Sequence, residues 1–204
     1  MTNSLDPDFQ RDLLRIFRMP SVQTMVSRKS SVTNAFVSAI IPVIPPSPAE
    51  IQEAINILGL DQKDLRCAYC GDKSSEWDHL RPLVLQRRPT GYVSEIANLV
   101  PSCGKCNQSK GNKHWRTWMT SSAKWSPSGR GIPDLQQRIE RLEKFEHWRR
   151  PMQVPFEGIM GEEEWEAYWQ TCEDLIQRMS ECQRVADQIK SKIGDAIAHP
   201  GSKS

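Results

Sequence analysis

Four of the six cysteines fall into two pairs of the form Cys-x2-Cys, Cys67 with Cys70 and Cys103 with Cys106. Two such knuckles can set four thiolates tetrahedrally around zinc, whose filled d shell imposes no other geometry and which accepts soft sulfur ligands. The N-terminus MTNSLDPDFQ has neither a basic n-region nor an apolar stretch of the export type, so two disulfides are disfavoured in what reads as a reducing compartment. A redox Cys-x2-Cys would leave the second pair unexplained. Structural zinc at Cys67, Cys70, Cys103 and Cys106 is the expectation. The 32 residues between the pairs exceed what a simple zinc ribbon uses, and they contain an Asp-His dipeptide, Asp78-His79.

Local signals divide the chain around this motif region. Apolar residues at helical spacing predict short helices over 8 to 19 and about 30 to 41. IPVIPPSP at 41 to 48 excludes a helix, because each proline lacks an N–H and restrains the residue before it. Ser47-Pro48 with Glu50 then reads as an N-cap and capping box opening a helix that Gly59 ends. SPSGRG at 126 to 131 is turn-rich, and Pro133 opens a helix with Leu135, Ile139, Leu142 and Phe145 on one side. A last helix over about 161 to 197 carries a stripe from Trp165 through Cys172 and Cys182 to Ile193, read as packing surface with both thiols as apolar filler. The expected organisation is a helical region 1–65, a motif core 66–119, a linker 120–132 and a helical hairpin 133–204.

Composition is ordinary for a globular chain, with 25% charged and 38% hydrophobic residues, which argues against wholesale disorder. No apolar run reaches membrane-spanning length, so a cytoplasmic protein without a membrane partner is expected. The net charge of +2 is unevenly spread. Residues 66–118 hold nine Lys or Arg against four Asp or Glu, whereas 133–204 hold ten against fourteen. The middle of the chain is therefore the part that suits a polyanion.

The motif region is similar to the HNH nucleases of the ββα-metal superfamily. The resemblance is carried by Asp78-His79, by Asn98-Leu99 ahead of the second knuckle, and by Cys106-Asn107 followed by Lys110-Gly111. It covers about a quarter of the chain. Asn107 stands where the family name has its last histidine, which makes this an HNN-type variant. The resemblance implies an α+β fold, with a small zinc-stapled ββα-metal core flanked by mostly helical N- and C-terminal segments.

The resemblance also assigns roles. Phosphodiester hydrolysis needs a base, a cation and fixed geometry. His79 is the expected general base, since a neutral imidazole accepts a proton near pH 7. Asp78 and Asn107 offer hard oxygens to Mg²⁺ or Mn²⁺, and Asn98 ties the loop that orients His79. On a strand Asp78 and His79 point to opposite sides, so the backbone must bend for both to serve one site. Lys110, Arg81, Arg87, Arg88, Lys113 and His114 are the expected nucleic-acid contacts, with His114 read two helical turns beyond Asn107. Trp115 and Trp118 are read as packing, and His147 and His199 as outside any constellation.

The function implied is a metal-dependent DNA endonuclease of restriction or other anti-phage type, leaving 5′-phosphate and 3′-hydroxyl ends. A noncatalytic zinc-knuckle module that only binds nucleic acid is the alternative from another class. A nuclease for RNA or branched DNA is a third. The acidic C-terminal helices are the expected surface for a homodimer or a protein partner.

Overall fold

The computed structural model of the protein describes residues 19–199, together with Arg11 and Ile16. The helix expected over 8 to 19 lies almost wholly outside the described residues. In chain order the elements are α1 (Lys29–Ile40), α2 (Pro48–Leu58), β1 (Glu76–His79), β2 (Val84–Leu85), β3 (Arg88–Pro89), β4 (Leu99–Ser102), α3 (Gly104–Lys110), α4 (Trp115–Met119), α5 (Leu135–Trp148), α6 (Phe156–Met160) and α7 (Glu162–Ala198). The chain is thus α+β, mostly helical with two small antiparallel sheets.

Helix boundaries follow the local chemistry. At the start of α2 the Ser47 hydroxyl accepts from Glu50 N–H while the Glu50 carboxylate accepts from Ser47 N–H, closing the capping box. Gly59 ends the helix in left-handed backbone at φ 62°, a conformation open to glycine, and Leu60 N–H closes onto Ile55 C=O. The proline-rich connector after α1 is extended, and Ile44 and Pro42 exchange main-chain hydrogen bonds with Ser94.

β1 pairs with β4 in the register Glu76 to Ser102 and His79 to Leu99. Behind this strand pair lies the core. Tyr69, Leu80, Val100, Trp115, Trp118, Met119, Leu142 and Phe145 are all fully buried, joined by Ala54 and Leu58 of α2 and Ile139 of α5. Each large apolar side chain so removed from water contributes about 1.5–3 kcal/mol. α5 packs on α2, because Ile139, Leu142 and Phe145 recur at steps of three and share one face.

Ser30–Leu175 forms one compact unit, and the described residues of Met1–Lys29 and Ile176–Ser204 form a second. The stripe on α7 is buried at Trp165, Trp169, Cys172 and Ile176, but Val185, Ile189 and Ile193 are more than half exposed. Cys182 is exposed as well, which corrects its reading as buried filler: spacing marks an apolar face but cannot say how far along it a cover extends. Among the described residues no helix is long and apolar enough to cross a membrane.

Candidate active site and cysteine centre

The sulfurs of Cys67, Cys70, Cys103 and Cys106 lie within 4.8 Å of one another, and all four residues are buried. Cys70 and Cys103 are 3.7 Å apart at sulfur, far beyond the roughly 2.05 Å of a disulfide. Four bonds of about 2.3 Å to a tetrahedral ion put sulfurs about 3.8 Å apart, so this spacing fits zinc. The first knuckle is shaped by Gly71, at φ 80°, whose N–H donates to Cys67 C=O, and by Cys67 N–H donating to Asp72 C=O. The second spans the start of α3, with Cys103 at its N-cap. Arg130 Nη2 donates to Cys106 Sγ at 3.0 Å while Nη1 meets Asp72 at 3.2 Å. This cation beside the cysteine sulfurs comes from the turn-rich linker, and no sequence signal marked it.

The cysteine centre joins the pieces that carry the other candidates. Ala68 N–H donates to Pro101 C=O, fastening the first knuckle to β4, and α3 delivers Asn107 directly after Cys106. Asp78, His79 and Asn107 line one cleft of about 370 Å³, whose walls include Asn34 and Ser38 of α1 and Pro82, Leu83 and Val84.

Asp78 is buried. Its Oδ2 accepts from the Tyr69 hydroxyl at 2.5 Å, and the Lys110 ammonium stands 3.1 Å from Oδ2 and 3.3 Å from Oδ1. Burial pushes the Asp78 carboxyl above the ordinary carboxylate range, opposed by the Lys110 charge and the Tyr69 hydrogen bond. Burial likewise lowers Lys110, opposed by Asp78, and raises Tyr69. Lys110 also donates to His79 C=O at 2.8 Å and to Gly111 C=O at 3.3 Å, and it is fully buried. The expected phosphate contact therefore finds an ammonium already occupied inside the protein.

His79 Nε2 is 2.9 Å from Ser94 Oγ. Burial, and next the Lys110 charge, lower its pKa to about 4, which leaves the imidazole neutral at physiological pH. Asn98, fully buried, accepts from Arg81 N–H at 2.8 Å, donates to Arg81 C=O at 3.1 Å and receives Leu80 N–H on its main-chain oxygen. It pins the chain just where β1 ends. Asn107 Nδ2 donates to Glu76 Oε2 at 2.6 Å, and its Oδ1 makes no hydrogen bond among the described residues. Asn107 Oδ1 is a hard oxygen free beside the cleft, and Asp78 adds a carboxylate whose oxygens are shared with Lys110 and Tyr69, so the two are of the donor type that suits Mg²⁺ or Mn²⁺. Tyr69, Glu76 and Ser94 were not singled out from sequence, since single Tyr, Glu and Ser residues carry no spacing signal.

The remaining candidates separate. Arg81 pairs with Glu146 at 3.3 Å, Arg88 with Glu173 at 3.1 Å, and Lys113 caps Ser109 C=O at 2.8 Å. His114 is exposed, but α3 ends at Lys110 and His114 is the N-cap of α4, so it does not continue the face of Asn107. Arg87 is exposed at the tip of the β2–β3 hairpin. Trp115 and Trp118 are buried, with indole N–H groups on Glu146 and Ser109.

Residues 67–113 match the family model described as HNH endonuclease. The chain is also similar to the CRISPR-associated endonuclease Cas9 of Corynebacterium diphtheriae, 30% identical over 115 residues, covering 48% of this chain and 9% of that protein. The match thus spans under a tenth of the relative's own length. No solved structure matches the chain.

Proposed function

We propose, from the premise that residues 67–113 form an HNH endonuclease segment, that the protein hydrolyses phosphodiester bonds in DNA with the aid of a divalent cation. The observation that carries the reading is the neutral, half-buried imidazole of His79 in one cleft with the oxygens of Asp78 and Asn107. In the tautomer whose Nε2–H donates to Ser94 Oγ, 2.9 Å away, Nδ1 holds the lone pair that takes a proton from water. Asp78 and Asn107 would hold Mg²⁺ or Mn²⁺, which when bound polarises the phosphate and offsets charge growing on the 3′ oxygen. Asn98 fixes the backbone behind His79, so the ring is oriented before substrate arrives. The four-cysteine centre holds β4 and α3 together beneath the cleft and takes no part in proton transfer.

A restriction-type or other anti-phage role is our reading of the setting, with a homodimer or protein partner on the C-terminal helices. The exposed Val185, Ile189, Ile193 and Ile197 of α7 support such a contact. The test is cleavage of supercoiled plasmid and phage DNA with Mg²⁺, Mn²⁺ or EDTA beside His79→Ala. Metal-dependent fragments should fall by roughly 10²- to 10⁴-fold in the variant. Binding without cutting under every metal would replace this reading with the zinc-knuckle binding module, and preference for RNA or junctions in a substrate panel would change the substrate.

A further inference from the structure

The β2–β3 hairpin turns on two residues, Gln86 and Arg87, both with positive φ, 50° and 65°. A two-residue turn of this hand favours Asn-Gly or Asp-Gly, because any larger side chain in left-handed backbone crowds the next carbonyl oxygen. The protein instead keeps two long polar side chains at the positions where the turn would be more stable without them. Such strain persists only where the surrounding structure enforces it, and it concentrates at functional positions.

The flanks of the hairpin supply that enforcement. Arg88 meets Glu173 at 3.1 Å and Glu166 at 3.9 Å, and its guanidinium lies 5.0 Å from the centre of the Trp169 ring. Thr90 ties back across the strands, N–H to Leu83 C=O at 2.9 Å and hydroxyl to Pro82 C=O at 2.7 Å. The tip is the opposite. Leu85 is 55% exposed, and neither Gln86 nor Arg87 makes a hydrogen bond or ion pair among the described residues, although both are exposed polar side chains. At the base of the same hairpin, Pro82, Leu83 and Val84 line the cleft that holds Asp78 and His79. A stiff lever therefore runs from the cleft wall to an exposed tip bearing one apolar, one amide and one guanidinium side chain, the last near enough to α7 for its charge to act on Cys172.

The geometry points to this tip as the specificity-determining element for a DNA duplex: Gln86 and Arg87 enter the minor groove beside the cleaved bond, and Leu85 presses against the adjacent base step. The inference rests on the DNA endonuclease reading. A tip of two residues suits a groove about 6 Å wide, where negative potential draws a guanidinium and apolar side chains act as wedges.

The test compares wild type with Gln86→Asn/Arg87→Gly, using fluorescence anisotropy without added Mg²⁺ or Mn²⁺ on labelled duplexes of G·C and of inosine·C. These differ only by the amino group in the minor groove. The variant should melt about 2–4 °C higher, because its turn is relaxed, while its affinity for G·C or inosine·C duplex falls roughly tenfold and the preference between them disappears. A variant that binds and discriminates as wild type does overturns the inference, as does a wild type that fails to discriminate. Cleavage of the same duplexes with Mg²⁺ separates the two readings. Cutting by wild type with no hairpin effect removes only the tip proposal, whereas a wild type that neither binds nor cuts duplex removes the endonuclease reading and the tip proposal together.

Discussion

Lys110→Met should unfold the protein more readily than any surface change, and the size of the effect follows from the contacts. The ammonium has three protons and three acceptors, Asp78 at 3.1 Å, His79 C=O at 2.8 Å and Gly111 C=O at 3.3 Å, with no side-chain exposure. Methionine keeps the length of the chain and removes the charge. Asp78, itself only 7% exposed, is then left with the Tyr69 hydroxyl alone. Removing one partner of a buried pair costs about 3–5 kcal/mol. Because burial already drives Asp78 toward its neutral form, the carboxyl can take up a proton and limit the loss, so the lower end, about 3 kcal/mol, is expected. For a chain of this size that lowers Tm by roughly 6–12 °C and the urea midpoint by roughly 1–2 M. Tryptophan fluorescence reads the transition, since Trp115 and Trp118 lie in the same core. Adding Asp78→Asn should cost less than the sum of the single changes, with a coupling of at least about 1.5 kcal/mol. A loss below about 1 kcal/mol for Lys110→Met, or strict additivity with Asp78→Asn, would refute the account of a buried ion pair.

Metal analysis should find one zinc per chain held by the four cysteines, and Cys106→Ser should abolish it along with the near-ultraviolet dichroism of the surrounding core. Retained zinc and an unchanged spectrum would contradict the tetrahedral site. Glu50 predicts a dependence of stability on pH. The Ser47 backbone and side-chain hydrogen bonds, then Arg149, hold its carboxyl down at about 2 against an ordinary 4.5. A folded value below the unfolded one means stability present above about 4.5 and lost as pH falls from there toward 2. Denaturation midpoints measured from pH 6 to 2.5 should therefore slope less for Glu50→Gln, and parallel slopes would count against the capping box as the source.

Local chemistry determined much of this protein in advance. The Cys-x2-Cys pairs, the Ser47–Glu50 cap, the Gly59 stop and the three-residue steps of α5 each involve residues within a turn or two, so spacing alone carries them. Asp78, His79 and Asn107 were likewise readable as a set, through family spacing. What those residues touch was not. Lys110 meets Asp78 across 32 positions, Asn107 meets Glu76 across 31, and His79 meets Ser94 across 15. These partners are chosen by the β1–β4 register and by where α3 is set beneath it, and a long-range contact leaves no period in the chain. Burial is decided at the same level. Lysine is a phosphate contact by type, and only the closing of the fold over Nζ turned Lys110 into a structural cation, because an enclosed ammonium must find acceptors among the groups that enclose it.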